Sequence, residues 1–192
     1  LKVPDGAFSL SVKKAEDATQ LVEIAREMLK ESDVILAQEF MYTPFDWRIG
    51  VLDGKPLFAA RYHMCKDHWQ IIKHAANGNF QEGRVESVPL SEVPLSILEL
   101  SSKSANLIGD GLYGIDIKSN REQSFVIEVN DNPNLDIGME DAHEGDEVYR
   151  KILLHLLYRF ELRHNISTKN GTGNATQSSR HAESKSVTGV HL

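Results

Sequence analysis

The chain has 192 residues, of which 41% are hydrophobic, so it can bury one core of the size usual for a single domain. The 28 acidic residues outnumber the 21 lysines and arginines, and a net charge of −7 provides no basic surface for a nucleic acid. One cysteine excludes a disulfide framework, and no apolar run approaches the roughly 20 residues that cross a membrane, so we expect a cytoplasmic protein without membrane partners.

The chain opens on a short apolar segment, residues 1–3, with no initiator methionine before it. Because this segment resembles a strand already under way, we expect further sequence upstream of it. Residues 4–9 contain Pro4, Asp5 and Gly6, which favour turns, and they predict a flexible loop. From residue 15 to residue 31, apolar side chains recur at helical spacing between charges, which predicts an amphipathic helix.

Three apolar-rich runs come next, at residues 34–41, 47–52 and 57–64, and they predict strands. Between the second and the third run lies Asp53-Gly54-Lys55-Pro56, which predicts a tight hairpin turn because Asp-Gly tolerates positive φ. Residues 77–83 are polar with two glycines and predict a loop. Residues 91–108 carry spaced apolar side chains and predict a second helix.

Two further β-rich segments, residues 112–118 and 124–130, predict a second hairpin. Residues 148–160 carry a full apolar stripe at helical spacing, which predicts a closing helix. After about residue 165 the chain is rich in Ser, Thr, Asn, Gly and Lys without periodic apolar residues. Such a composition cannot offset the entropy of ordering, so residues 165–192 are predicted to be a disordered tail.

The second hairpin carries the most informative polar residues. Alternation along residues 125–130 places Glu128 and Asn130 on one face of the strand. If a three-residue loop centred on Glu122 joins the strands, Asp116 lies directly opposite Glu128. Facing carboxylates repel each other unless a cation or a proton lies between them, and Mg²⁺ suits carboxylate and amide oxygens. A polar hairpin with solvated carboxylates is the alternative, because a strand register inferred from sequence can slip by one residue.

The wider pattern, Gly114-Ile-Asp-Ile followed by Phe125-Val-Ile-Glu-Val-Asn-Asp-Asn-Pro-Asn, closely resembles the ATP-grasp superfamily, in its glutathione-synthase and RimK-type branch. The resemblance implies an α+β fold of antiparallel sheets flanked by helices, with ATP clamped between a lid and a carboxy-terminal core. It makes residues 1–164 the catalytic portion, with a lid region near residues 1–64 and the core at residues 65–164. It also implies a substrate-binding amino-terminal domain in cis, upstream of residue 1. It further implies that Asp116, Glu128 and Asn130 bind two Mg²⁺ ions, or Mn²⁺ in their place, which bridge the ATP phosphates.

The same resemblance implies a nucleotide site. Residues Gln38, Glu39 and Phe40 resemble the hinge that reads adenine, although a buried strand end would have the same pattern. Asp46 stands where the family places an acidic residue on a ribose hydroxyl. Lys2 and the loop at residues 4–9 resemble the lysine and mobile loop that cover the phosphates. This loop departs from the family because it has one glycine where several are usual.

Two arginines are implied as catalytic residues. Arg48 matches an arginine that faces the substrate or the phosphates, and Arg61 resembles one that meets the transferring phosphoryl group. A planar cation with five donors suits that role, although a surface arginine is the alternative for Arg61.

The activity implied by the resemblance is ATP-dependent carboxylate–amine ligation. Phosphoryl transfer from ATP to a carboxylate would form an acyl phosphate, which an amine attacks to form an amide or peptide bond. The substrates would be small-molecule or peptide carboxylates and amines, and a homo-oligomer is compatible with this activity. The alternative is a non-catalytic, nucleotide-binding regulatory module, which the one-glycine loop favours. A metal-dependent hydrolase ranks last, because no water-activating base is identifiable.

Overall fold

The computed structural model describes residues 1–4, 11–74, 79–120 and 122–164. Its strands are β1 (Phe45–Leu52), β2 (Lys55–His63), β3 (Ile72–His74), β4 (Phe80–Glu82), β5 (Val85–Ser87), β6 (Leu112–Ser119) and β7 (Ser124–Asn130). Its helices are α1 (Ala18–Met28), α2 (Leu95–Ile108) and α3 (Asp146–His164). Five strands form one antiparallel sheet in the order β5-β2-β1-β6-β7, and β3 pairs with β4. The predicted α+β class is confirmed.

The turn between β1 and β2 has the predicted form. Leu52 pairs with Lys55, so the loop consists of Asp53 and Gly54, whose φ values of 52° and 70° both lie in the left-handed region. A two-residue hairpin turn needs such values, and glycine adopts them without a steric penalty.

Three predicted elements differ from the structure. Residues 77–83 were predicted to be a loop, but strand β4 occupies Phe80–Glu82 within them. Residues 34–41 do not form a strand: only Leu36 bridges, exchanging backbone hydrogen bonds of 2.8 and 2.9 Å with Lys2. The second helix starts at Leu95 rather than near residue 91, because Pro94 lacks an N–H and occupies the position before the first turn. Residues Leu90–Glu92 form a separate 3₁₀ turn.

The two faces of the large sheet bury different parts of the chain. On one face, α2 covers a cluster that includes Ile49, Ile115 and Ile117, none of which is exposed. On the other face, α3 covers only one end of the sheet, where Val148 packs with Phe58. Because side chains alternate along a strand, the polar residues of β1, β6 and β7 point to this second face beyond the end that α3 covers. That uncovered half of the sheet is where the candidate site lies.

No helix in the described part of the chain is long and apolar enough to cross a bilayer. The predicted loop at residues 4–9 falls almost entirely outside the described residues, and the predicted tail at residues 165–192 falls wholly outside them. The division into a lid region and a core stays a prediction.

Candidate functional site

The second hairpin places the predicted metal ligands together. Asp116 pairs with Glu128 and Gly114 pairs with Asn130, in the register expected from the sequence. The loop and the strand geometry that produce this register differ from those predicted. Ser119 pairs with Ser124, so the loop is one residue longer than predicted, and a bulge between Asp116 and Ile117 restores the pairing.

The bulge also changes which side chains share a face. Val126 and Val129 pack against the core, whereas Ile127 lies beside Glu128 in the walls of two cavities. Strict alternation would put Ile127 on the same face as Val129, so the alternation is broken at this residue. Glu128 and Asn130 do share the cavity side, as predicted.

Arg48 pairs with Asp116 in a bidentate ion pair. Nε and a terminal nitrogen of Arg48 donate to the two carboxylate oxygens, both at 2.7 Å, and the side chains are only 16% and 14% exposed. The amide nitrogen of Asn130 also donates to Asp116, at 3.3 Å. Burial by itself disfavours the charged guanidinium, but the hydrogen bonds and charge of Asp116 outweigh it, so the pKa of Arg48 rises above its already high ordinary value. In the free protein, Arg48 is thus the cation that the facing carboxylates require.

The donor set fits Mg²⁺. Two carboxylates and an amide are hard oxygen ligands, and Glu128 is exposed to the cavity without a hydrogen bond or ion pair to any residue the structure describes. Nowhere in the described ranges do three or more His, Cys, Asp or Glu side chains converge as a metal site. Asp116, Glu128 and Asn130 could therefore hold Mg²⁺ only with substrate oxygens or water completing its coordination.

Beside this pair lies a second buried ion pair that the sequence did not reveal. Lys118 donates to Asp46 at 2.6 Å and to Thr43 at 2.8 Å, and Thr43 donates to Asp46 at 2.8 Å. Burial raises the pKa of Asp46, although Lys118 and Thr43 oppose part of that rise. The carboxylate predicted to bind ribose is thus already held by two neighbours. Lys118 could have been found from its position two residues after Asp116, on the same face of β6.

Asp46 should give the stability of the protein a recognisable pH dependence. A carboxyl group whose pKa is higher in the folded state stabilises the fold below its ordinary pKa, and this contribution is lost as pH rises through the folded pKa. We therefore expect the unfolding free energy of the wild type, minus that of Asp46→Asn, to fall as pH rises from about 4. Urea denaturation at a series of pH values measures this difference. If this difference rose with pH instead, Lys118 would outweigh burial in setting the pKa of Asp46.

A cavity of about 280 Å³ brings together the residues predicted to bind nucleotide. Its walls include Gln38, Glu39, Phe40, Asp46 and Lys2, together with Asp116 and Glu128. Lys14 lies 4.2 Å from the centre of the Phe40 ring, and Trp69 meets the same ring edge-on at 5.9 Å. Lys2 reaches across to donate to the carbonyl of Ile127 at 3.0 Å. Lysine and aromatic side chains together suit a nucleotide, since they can meet phosphate and base.

A second cavity of about 600 Å³ lies on the other side of the same carboxylates. It shares Lys2, Asp116 and Glu128 with the first cavity, and its own walls include Arg48 and Asn130. The facing carboxylates therefore lie between two spaces, the first of which holds the predicted nucleotide residues.

Arg61 is not part of this site. It pairs with Trp47 across β1 and β2, on the face that α2 covers, and its guanidinium lies over the rings of Trp47 and Phe45 at 4.8 and 5.2 Å. Its nearest carboxylate is Glu86, at 4.0 Å. Alternation along β2 sends Tyr62, and not Arg61, to the face that carries Arg48.

Gly114 shows why the motif needs a glycine before Asp116. A Cβ at this position would lie 2.6 Å from the Cβ of Pro133, closer than such atoms approach. We expect Gly114→Ala to lower the unfolding free energy by about 1–3 kcal/mol, since the loop after β7 must shift. Urea denaturation measures this loss, and Asn134→Ala, at an exposed residue of the same loop, is the control. Equal stability of the two variants would show that Pro133 moves without penalty.

Comparison with known proteins supports the fold seen here. No protein-family model matches the chain. A curated relative from Pasteurella multocida (strain Pm70), named "Probable alpha-L-glutamate ligase", is 27% identical in an alignment of 175 residues. The match covers 87% of this chain and 50% of the relative. The chain thus spans about half the length of that relative.

Two solved structures share the architecture. The D-alanine–D-alanine ligase from Bacillus anthracis matches with a TM-score of 0.56 and 17% identity, over 84% of this chain and 55% of the ligase. The same enzyme complexed with ATP matches with a TM-score of 0.53 and 16% identity, over 79% of this chain and 50% of that chain. At these identities the two likenesses show a shared fold, in agreement with the antiparallel sheet and helices described above.

Proposed function

We propose that this chain is the ATP- and Mg²⁺-binding part of a carboxylate–amine ligase of the RimK-like type. The observation that carries the proposal is the position of Asp116 and Glu128 between two cavities. The first cavity holds the residues predicted to bind nucleotide, and the second is large enough to admit another substrate. A reaction in which ATP phosphorylates a carboxylate needs such a junction, since the phosphates must meet the second substrate there.

The residues of the site have separate roles in this proposal. Asp116, Glu128 and Asn130 would hold Mg²⁺, which when bound neutralises charge on the phosphates. Lys2 and Lys118 line the first cavity near these carboxylates and attract the same phosphates. Arg48 orients Asp116 and presents a guanidinium to the second cavity. Positioning and fixed charge are the main sources of catalysis in phosphoryl transfer, so no side-chain nucleophile is required.

The reaction proposed has two balanced steps. A carboxylate oxygen of the first substrate attacks the terminal phosphorus of ATP while the bond to ADP breaks, which yields an acyl phosphate. An amine then attacks the acyl carbon, phosphate leaves, and the amine loses a proton to give an amide. Because the Pasteurella relative is named an alpha-L-glutamate ligase, glutamate is the first substrate to test.

A second candidate function is a nucleotide-binding module without ligase activity. The observation in its favour is that Arg48 occupies both oxygens of Asp116, a pairing that a metal-dependent enzyme has to open or share. The two functions differ in whether ATP is consumed.

Hydroxylamine distinguishes these functions because it traps acyl phosphates as hydroxamates. We expect ADP and a hydroxamate to form when the protein is incubated with Mg²⁺, ATP, glutamate and hydroxylamine. The experiment is run with this chain and with the longest natural reading frame that contains it. ATP binding without ADP formation in both proteins, across a panel of carboxylates, would contradict the ligase and support the binding module.

A further inference from the structure

Glu140 is a charged residue buried beside the second cavity. Glu140 is only 1% exposed. Burying a carboxylate is energetically unfavourable unless hydrogen-bond donors satisfy its oxygens. Two donors do so: the hydroxyl of Tyr62 donates to Oε1, and the backbone N–H of Asp136 donates to Oε2 at 2.8 Å. Ser87 donates to its backbone carbonyl at 3.3 Å. Glu140 is therefore held in one place by three separate elements of the fold.

Tyr62 connects this buried carboxylate to the candidate metal site. Its hydroxyl bonds to Glu140, and the guanidinium of Arg48 lies over its ring, 4.5 Å from the centre. Burial raises the pKa of the Tyr62 phenol above its ordinary value, so the hydroxyl remains a donor at neutral pH. The contacts run without a gap from Glu140 to Tyr62, from Tyr62 to Arg48, and from Arg48 to Asp116.

We propose that Tyr62 and Glu140 are positioning residues, which hold Arg48 so that it presents Asp116 to Mg²⁺–ATP in one orientation. An arginine side chain has many rotamers, and a bidentate pair forms only when the guanidinium and the carboxylate share a plane. The ring of Tyr62 restricts that plane, and Glu140 restricts the ring. The metal-binding part of this inference rests on the proposed function, whereas the effect on Arg48 does not.

The turn that contains Glu140, at residues 137–145, also provides a matched control. Tyr149 donates to Asp141 at 2.9 Å, and Asp141 accepts from the backbone N–H of Gly138 at 2.6 Å. This second bond from a tyrosine to a carboxylate anchors the turn as the first one does, but Tyr149 has no contact with Arg48 among the interactions of the described residues. Tyr149→Phe therefore reports the anchoring of the turn alone.

The test compares Tyr62→Phe with Tyr149→Phe through two measurements. NMR follows solvent exchange of the Arg48 Nε–H in the free protein, and calorimetry gives the dissociation constant for Mg²⁺ with a non-hydrolysable ATP analogue. For Tyr62→Phe we expect exchange about tenfold faster and binding about tenfold weaker, the lower end of the range for groups that orient metal ligands. Tyr149→Phe should change neither measurement.

The outcomes separate this inference from the proposed function. Equal exchange and equal affinity in both variants would overturn it and leave Tyr62 a purely structural residue. If the wild type bound no Mg²⁺–ATP, the proposed function would fail, yet faster exchange in Tyr62→Phe alone would still support the positioning of Arg48. Should Tyr62→Phe unfold because Glu140 loses a donor, the double variant with Glu140→Gln removes the buried charge and must show the same faster exchange.

Discussion

Arg48→Met should lower the free energy of unfolding of the free protein by about 3–5 kcal/mol, the usual loss when one partner of a buried ion pair is removed. The physical reason is that Asp116 stays behind as a carboxylate only 14% exposed, with the weaker hydrogen bond from Asn130 as its remaining support. Chemical denaturation followed by circular dichroism measures the loss. Asp116→Asn should destabilise in the same direction, because it leaves Arg48 without its counter-charge.

A double variant shows whether the lost stability comes from the interaction between Arg48 and Asp116. Because Arg48 and Asp116 interact directly, Arg48→Met combined with Asp116→Asn should be more stable than the sum of the single effects, by about 1–3 kcal/mol. Arg150→Met is the matched control. Arg150 binds Glu147 through the same two nitrogen positions, both at 2.6 Å, but on the exposed surface of α3, so its loss should leave stability close to that of the wild type. Additive single effects at Arg48 and Asp116 would contradict a coupled pair.

Glu128→Gln should weaken Mg²⁺–ATP binding by about a hundredfold while leaving the free protein nearly as stable as the wild type. Glu128 lies opposite Asp116 across the strands, and a ligand carboxylate contributes charge that an amide cannot supply. From the sequence alone, facing carboxylates suggest that this change also relieves strain. In the structure little such strain is expected, because Arg48 already neutralises the charge of Asp116.

Thermal or chemical unfolding with and without ligand measures this effect. A ligand present at a hundred times the wild-type dissociation constant stabilises the wild type by about 2.7 kcal/mol, and a hundredfold weaker variant retains about 0.4 kcal/mol of that. Glu122→Gln is the control: it removes the same charge from the same hairpin, in the loop rather than on the strand face. Equal ligand-induced stabilisation of wild type and Glu128→Gln would show that Glu128 is not a metal ligand.

The two experiments together distinguish a metal site from an internal ion pair. A binding module that holds nucleotide without metal requires Arg48 and Asp116 for stability, but it gives Glu128 no role in affinity. A ligase requires both results. A metal site and an internal ion pair make the same prediction for Asp116, and they differ in the prediction for Glu128.

Local patterns in the sequence predicted helices α1, α2 and α3 and strands β1, β2, β6 and β7, although not the short strands β3, β4 and β5. Asp53-Gly54 predicted the hairpin turn between β1 and β2, because these residue types tolerate positive φ. The alternation in β7 placed Glu128 and Asn130 on one side. The expected pairing of Asp116 with Glu128 occurs, although a longer loop and a bulge produce it together. The prediction of a strand at residues 34–41 was wrong, since within this segment only Leu36 pairs through its backbone with another residue that the structure describes.

By itself, then, the sequence determined the fold class and the facing pair of carboxylates, both of which depend on residues near one another in the chain. Only the tertiary structure decided what surrounds them. Arg48 meets Asp116 across a separation of 68 residues, Lys118 meets Asp46 across 72, and Tyr62 meets Glu140 across 78. It also turned Arg61 away from the site. Such contacts depend on strand order, on bulges and on which face each helix covers, and these are set by packing between distant segments rather than by any local period.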